Sequence, residues 1–219
     1  MRLTPYMNIL CGLLFLSSCT QTHYADHWDK NSAPPFMAEM VKFRTTERFF
    51  LQPPNCVTVL PVKGMGKPEF KKLVGITVAR HLYQKVKRTI GPFERDSLER
   101  SLAFDLDNNL DRKQFSIQKD CAYFAQVRVN HVSKAYALVW AEQTIDLNIK
   151  VHGYDENDMI WQASHIVNRG DGGLPLSPFS LGAAVFTAGR AHRKADTLPS
   201  MLDDSMRRMF VKFPDTRIY

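Results

Sequence analysis

Four cysteines and seven histidines are the residues of this sequence best suited to covalent, redox or metal chemistry, and their spacing decides which is on offer. His23, His27, His81, His131, His152, His165 and His192 are dispersed, and only His23 and His27 stand four apart. That pair sits in a polar stretch with no helical pattern, so it reads as a chance match to the helical histidine pairs of zinc enzymes. Asp105, Asp107 and Asp111 alternate with Asn108 and Asn109, but no glycine turns the chain and no glutamate closes a calcium loop. A solvated helix end is expected there. Gly64-Met65-Gly66-Lys67 lacks the third glycine of a dinucleotide loop and the Lys-Ser/Thr of a phosphate loop, and is expected to be a turn. No Gly-x-Ser-x-Gly elbow is present. Asp146 and His152 can share the polar face of one strand, as an ordinary wet sheet surface. No catalytic set, metal site or cofactor is expected, and the chain reads as a non-enzyme.

The thiols are more informative. Met1-Arg2 and an apolar run from Ile9 to Leu16 precede Leu16-Ser17-Ser18-Cys19. A basic start, a short apolar stretch and small residues form a secretory signal peptide, too short to span a bilayer as a permanent helix. Leu16 to Cys19 resemble the bacterial lipobox, in which the cysteine is acylated and becomes the first residue of the mature protein. Each buried methylene contributes about 0.8 kcal/mol, so two or more chains, palmitate among them, would hold the protein at the membrane. Cys11 leaves with the signal and Cys19 takes the lipid, so Cys56 and Cys121 remain as the possible disulfide. Each lies just ahead of a strand-like run, Val57 to Val62 and Tyr123 to Val129. If those strands are parallel neighbours, both thiols fall at one sheet edge. The alternative is two small buried apolar residues.

Residues 1–18 are thus expected to be a lipoprotein signal peptide, 19–55 a lipidated cysteine and tether, 56–213 one α/β domain, and 214–219 a tail. Within the second segment, Phe36 to Phe50 is apolar enough to pack as a short helix or an edge strand. The formal charge of +7, one less without Arg2, suits an anionic lipid or an acidic polymer. Export removes nucleic acid as a partner. Thr20 is not the aspartate that retains many lipoproteins in the inner membrane, which favours the outer membrane.

Val57 to Val62 reads as a strand buried on both faces, and Pro68 opens a helix in which Phe70, Val74, Val78, Leu82 and Val86 recur at helical spacing until Gly91-Pro92. Leu98, Leu102, Leu106 and Leu110 predict a second helix from Asp96 or Ser97 to about Leu110. Ile145, Leu147, Ile149 and Val151 alternate with polar residues through Thr144 to Tyr154, and Asp155 to Asp158 turn the chain into Met159 to Val167 as a long hairpin. Leu181 to Ala191 is small, apolar and of helical type, followed by a basic end. Leu181, Ala184, Val185, Phe186, Arg190 and Arg193 form the candidate interaction segment, open to burial against the sheet, to a second copy of the chain or to lipid. Pro199 starts a last helix with Met201, Leu202, Met206, Met209 and Phe210 on its core face.

Val57-Thr58-Val59-Leu60-Pro61-Val62 and the Thr144 to Ala163 hairpin with its Ile160-Trp161 pair resemble bacterial envelope proteins related to the TolB amino-terminal domain. That group includes the curli-export lipoprotein and the lipoprotein activators of penicillin-binding proteins. A neisserial lipoprotein family is similar as well. The resemblance spans about residues 56 to 212. It implies an α/β sandwich with a mixed sheet and a long antiparallel hairpin packed by helices. It also implies a place on the periplasmic side of the outer membrane. The chain is expected to dock on an envelope protein partner through the wet sheet face or the Leu181–Arg193 segment, with homo-oligomerisation into a ring through that segment, or an enzyme acting on envelope glycan or lipid, as the alternatives. The two amphipathic membrane hairpins of the curli-export pore have no counterpart in the sequence, so no channel is implied.

Overall fold

Residues 21–25, 41–137, 140–172 and 197–218 are described by the structure, a computed structural model. In chain order the elements are β1 (Gln21–Ala25), β2 (Lys42–Thr45), α1 (Glu47–Leu51), β3 (Cys56–Val59), β4 (Lys63–Gly64), α2 (Pro68–Tyr83) and β5 (Arg88–Ile90). They continue with α3 (Pro92–Leu102), α4 (Asn109–Lys119), β6 (Tyr123–Ala137), β7 (Trp140–His152), β8 (Met159–Gly172) and α5 (Thr197–Val211). The eight described strands form one mixed sheet in the order β1-β8-β7-β6-β3-β5, with β2 also on β8 and β4 also on β6. Pairing is parallel among β3, β5 and the start of β6, and antiparallel across β6, β7 and β8. The expected α/β fold with a mixed sheet and long hairpin is present.

Side-chain alternation sorts the core into two layers. Val57 and Val59 of β3 join Val74, Val78 and Leu82 of α2 on one face, together with Ile145, Leu147, Ile149 and Val151 of β7 and Met206, Met209 and Phe210 of α5. Cys56 and Leu60 point the other way, to Ile90, Leu106, Phe115, Cys121 and Phe124 beneath α3 and α4. A strand covered on both faces must be apolar throughout, which is why β3 shows no polar alternation. On the first face Trp161 anchors an aromatic cluster, with Phe213 at 5.0 Å and Phe210 at 5.8 Å between ring centroids.

Several boundaries differ from the sequence expectation. Helix α2 stops at Tyr83, and β5 forms before Gly91-Pro92, where Pro92 opens α3 rather than closing a helix. The single helix expected from Asp96 to Leu110 is two. Ala103 takes a left-handed conformation (φ 53°) that ends α3, and the Asn108 side chain accepts from Leu110 N at 2.8 Å to cap α4. Leu106 is buried in the connection while Leu110 is 70% exposed, so the four-residue leucine spacing crosses a turn. Residues of the expected tether are drawn into the sheet. Gln21–Ala25 pair with β8 at Ile166 to Gly170, and Lys42–Thr45 pair with the same strand at Trp161 to Ser164. The Phe36 to Phe50 stretch thus supplies both an edge strand and a short helix, with Phe49 of α1 buried against Phe213. The expected tail is tied down at Thr216, whose hydroxyl donates to Pro54 O at 2.7 Å.

Candidate functional site

The chemistry-bearing side chains are best followed from the thiols. Parallel pairing of Val57 with Tyr123 carries Cys56 and Cys121 to the same end of their strands, 4.9 Å apart at Cα, where they form a disulfide across 65 residues. Both are buried, and Thr58 Oγ1 lies 3.3 Å from Cys121 Sγ. Cys19 and the segment carrying Leu181, Ala184, Val185, Phe186, Arg190 and Arg193 lie outside the described residues.

Asp146 and His152 are not brought together, and His152 corrects the expectation of a wet face. At 1% exposure it lies under α4, its ring stacked on Phe124 at 6.3 Å between centroids. A carbonyl only accepts, so Nδ1 carries the proton it donates to Gly153 O at 2.6 Å. Burial pushes the His152 pKa below its ordinary value, leaving the ring neutral near pH 7. Asp146, 9% exposed, accepts from Asn130 Nδ2 at 3.1 Å beside the β6 irregularity between Val129 and His131. The open part of this face is built from Arg128 and Lys150, both exposed, with Asn148 and Gln162 half-buried beside them.

His165 lies on the opposite face, in register with Leu147. It is 2% exposed, and burial holds its pKa down to about 4, with the Arg208 cation acting in the same direction and Asp204 against it. His81 bridges α2 and α5 by a 3.0 Å contact to Asp203 and by stacking on Phe210. Among the described residues no group of three or more His, Cys, Asp or Glu is placed to hold a metal ion. The aspartates between α3 and α4 are acceptors in a turn: Asp111 takes Asp105 N at 2.8 Å and Asp105 takes Asp107 N at 3.0 Å. The Gly64 turn is dictated by packing, because at φ 92° a Cβ there would fall 2.1 Å from Val129 O.

Two buried arginines went unnoticed in the sequence. Arg112, fully buried, donates to Tyr154 O at 2.9 Å and Leu106 O at 2.8 Å and bonds Asn109, tying the α3–α4 turn to the β7–β8 turn. Arg95 donates to Val59 O at 2.7 Å and to Asp96 at 3.0 Å. A signal existed in each case: Arg95 precedes Leu98 and Leu102, and Arg112 precedes Phe115, at the three- and seven-residue spacings of one helical face. Both therefore belong to the inward stripe.

Arg95 also underlies a groove of about 530 Å³ at the C-terminal end of β3 between α2 and α3. Leu60, Val62, Gly75 and Pro92 form its apolar side. Lys71, Lys72, Arg95 and Arg100 line it with a single carboxylate, Asp96, and Phe93 stands 63% exposed with Lys72 Nζ 5.0 Å above its ring. Ligands of α/β sheets gather at this place, outside the carboxyl ends of parallel strands whose connections leave over opposite faces. Here α2 crosses over the first core layer and α3 over the second.

No protein-family model matches the sequence, and no curated protein matches it. Among solved structures it is similar to a PelC dodecamer from Paraburkholderia phytofirmans, at 12% identity over 69% of this chain and 92% of that one, with a TM-score of 0.40. Lipoprotein GNA1162 from Neisseria meningitidis is similar at 9% identity over 64% of this chain and 98% of that one, TM-score 0.40. Hypothetical protein CT253 from Chlamydia trachomatis follows at 11% identity, 72% and 92% coverage and a TM-score of 0.38. Likeness at this level carries no argument about function. Solved lipoproteins are among the similar structures. No helix among the described residues is long and apolar enough to cross a membrane.

Proposed function

We propose that this chain is a non-catalytic cell-envelope lipoprotein, anchored by lipid on Cys19, that serves as a docking or accessory component of an envelope assembly, export or cell-wall synthesis complex. The observation that carries the reading is the Cys56–Cys121 bridge, which suits an oxidising compartment and agrees with an export signal read from wholly different residues. The reading is of binding rather than turnover: His152 and His165 are buried and held neutral in the core, and the described polar sheet face and groove present cations and amides. Thr20 favours the outer membrane, with the domain facing the periplasm.

Mass spectrometry of the mature amino terminus tests it. The expected result is a chain beginning at an acylated Cys19, with Cys19→Ser released from the membrane fraction. An unprocessed Met1, or a Cys19→Ser protein that stays with the membrane, overturns the anchor and with it the proposed location.

A further inference from the structure

The groove at the end of β3 supports an inference that stands independently of the anchor. We propose that it binds a phosphate ester. Its charge is unbalanced in a particular way. Asp96 is taken up by Arg95, whose Nε–Oδ1 distance is 3.0 Å, and Arg95 is itself fixed by Val59 O and lies 3.5 Å from Glu99. Among the described residues, no carboxylate pairs with Lys71, Lys72 or Arg100. Three cations thus share one concavity without a counter-charge of their own. A phosphate monoester near pH 7 carries close to two negative charges on three strong acceptor oxygens, and so matches three cations more fully than a carboxylate, which brings one charge on two oxygens.

The rest of the groove suits the organic part of such an ester. Leu60, Val62 and Pro92 give it an apolar wall, and Phe93 is exposed beside Lys72. A volume of about 530 Å³ lies within the usual range for small-ligand sites, which are mostly apolar with a few placed polar groups. Gly75 keeps the groove's back closed: a Cβ there would approach Pro92 Cγ to 3.2 Å, so α2 and the start of α3 are packed together and the cations stand on a fixed frame. The phosphate can come from a soluble ester or from a lipid headgroup.

Titration of the purified full-length chain with inorganic phosphate and glycerol 1-phosphate at matched ionic strength, followed by NMR or calorimetry, tests the site. Flotation of the Cys19→Ser chain, which carries no acyl group, with phosphatidate vesicles against phosphatidylcholine vesicles identifies the source. Saturable binding is expected, weakened at least about tenfold in Lys72→Gln/Arg100→Gln, two surface changes that leave the circular dichroism intact. Lys150→Gln, on the polar sheet face, should bind as the parent does. Binding to glycerol 1-phosphate in solution marks a soluble ester, and binding confined to phosphatidate vesicles marks a headgroup. Failure to bind any probe, binding unchanged in the double variant, or equal weakening by Lys150→Gln overturns the proposal.

Discussion

The two ends of the sheet are built on different principles. At the parallel end β3 lies between two helical layers and is held by partners distant in sequence: the bridge from Cys56 to Cys121, the register of Val57 with Tyr123, and the Arg95 bond to Val59. At the antiparallel end β6, β7 and β8 follow one another along the chain and pair over their lengths through short turns. There one apolar face alone, from Ile145 to Val151, meets α5 and α2. Local pairing closes short loops at small entropic expense, whereas the parallel end must close loops of 32 residues to pair Cys56 with Arg88 and 66 residues to pair Val57 with Tyr123. The bridge sits where that expense is greatest.

The largest expected effect tests whether the ends differ in this way. Replacing both cysteines, Cys56→Ala with Cys121→Ala, should lower stability by about 4 kcal/mol in urea unfolding, because a 65-residue loop is released. Hydrogen exchange should then show β3 and β5 losing protection well before β7 and β8. Uniform loss across the sheet would mean that the two ends unfold as one unit and that their difference is architectural only.

The antiparallel end has its own weakness in the buried His165. Its folded pKa of about 4 lies below the ordinary 6.5, so the unfolded chain takes up a proton that the folded chain refuses. The penalty is absent above about pH 6.5 and grows as pH falls toward 4, where it should reach about 3 kcal/mol. His152, lowered in the same direction, adds to the slope from under α4, so the comparison is between parent and His165→Gln. The variant should show a flatter stability profile between pH 6.5 and 4. An unchanged slope would take the acid sensitivity away from His165.

The smallest effect sharpens the boundary between α3 and α4. Asn108→Ala removes the side-chain cap on Leu110 N and should cost about 1 kcal/mol. The loss should appear as faster exchange in the first turn of α4, leaving β7 and β8 untouched.

These contrasts also explain which parts could be read from the chain alone. The β7–β8 hairpin was legible because its alternation is imposed by strand geometry whatever the neighbours are. The inward face of α5 was legible for the same reason at helical period. The break between α3 and α4 was hidden, since the leucine spacing continued across it and the left-handed Ala103, with the local bonds of Asp105 and Asn108, divides the run. Strand β5 was hidden because three residues carry no period, and its pairing with β3 supplies what they lack. The groove could not be read at all: its cations come from α2 and α3, and they converge only once β3 has placed those helices on opposite faces.

The sequence by itself carried the expectation of an export signal and determined the two paired thiols as candidates, the hairpin and the apolar stripes, because each depends on residues within a few positions of one another or on simple elimination. Tertiary structure alone decided which partners hold Arg95 and Arg112 in the interior, that His152 belongs to a core and not to a wet surface, and that residues ahead of Cys56 complete the sheet edge. The physical reason is that burial of a polar side chain depends on partners brought from afar. Arg112 is accommodated in the interior by carbonyls that include Tyr154 O, 42 residues along the chain, and no local pattern encodes that meeting.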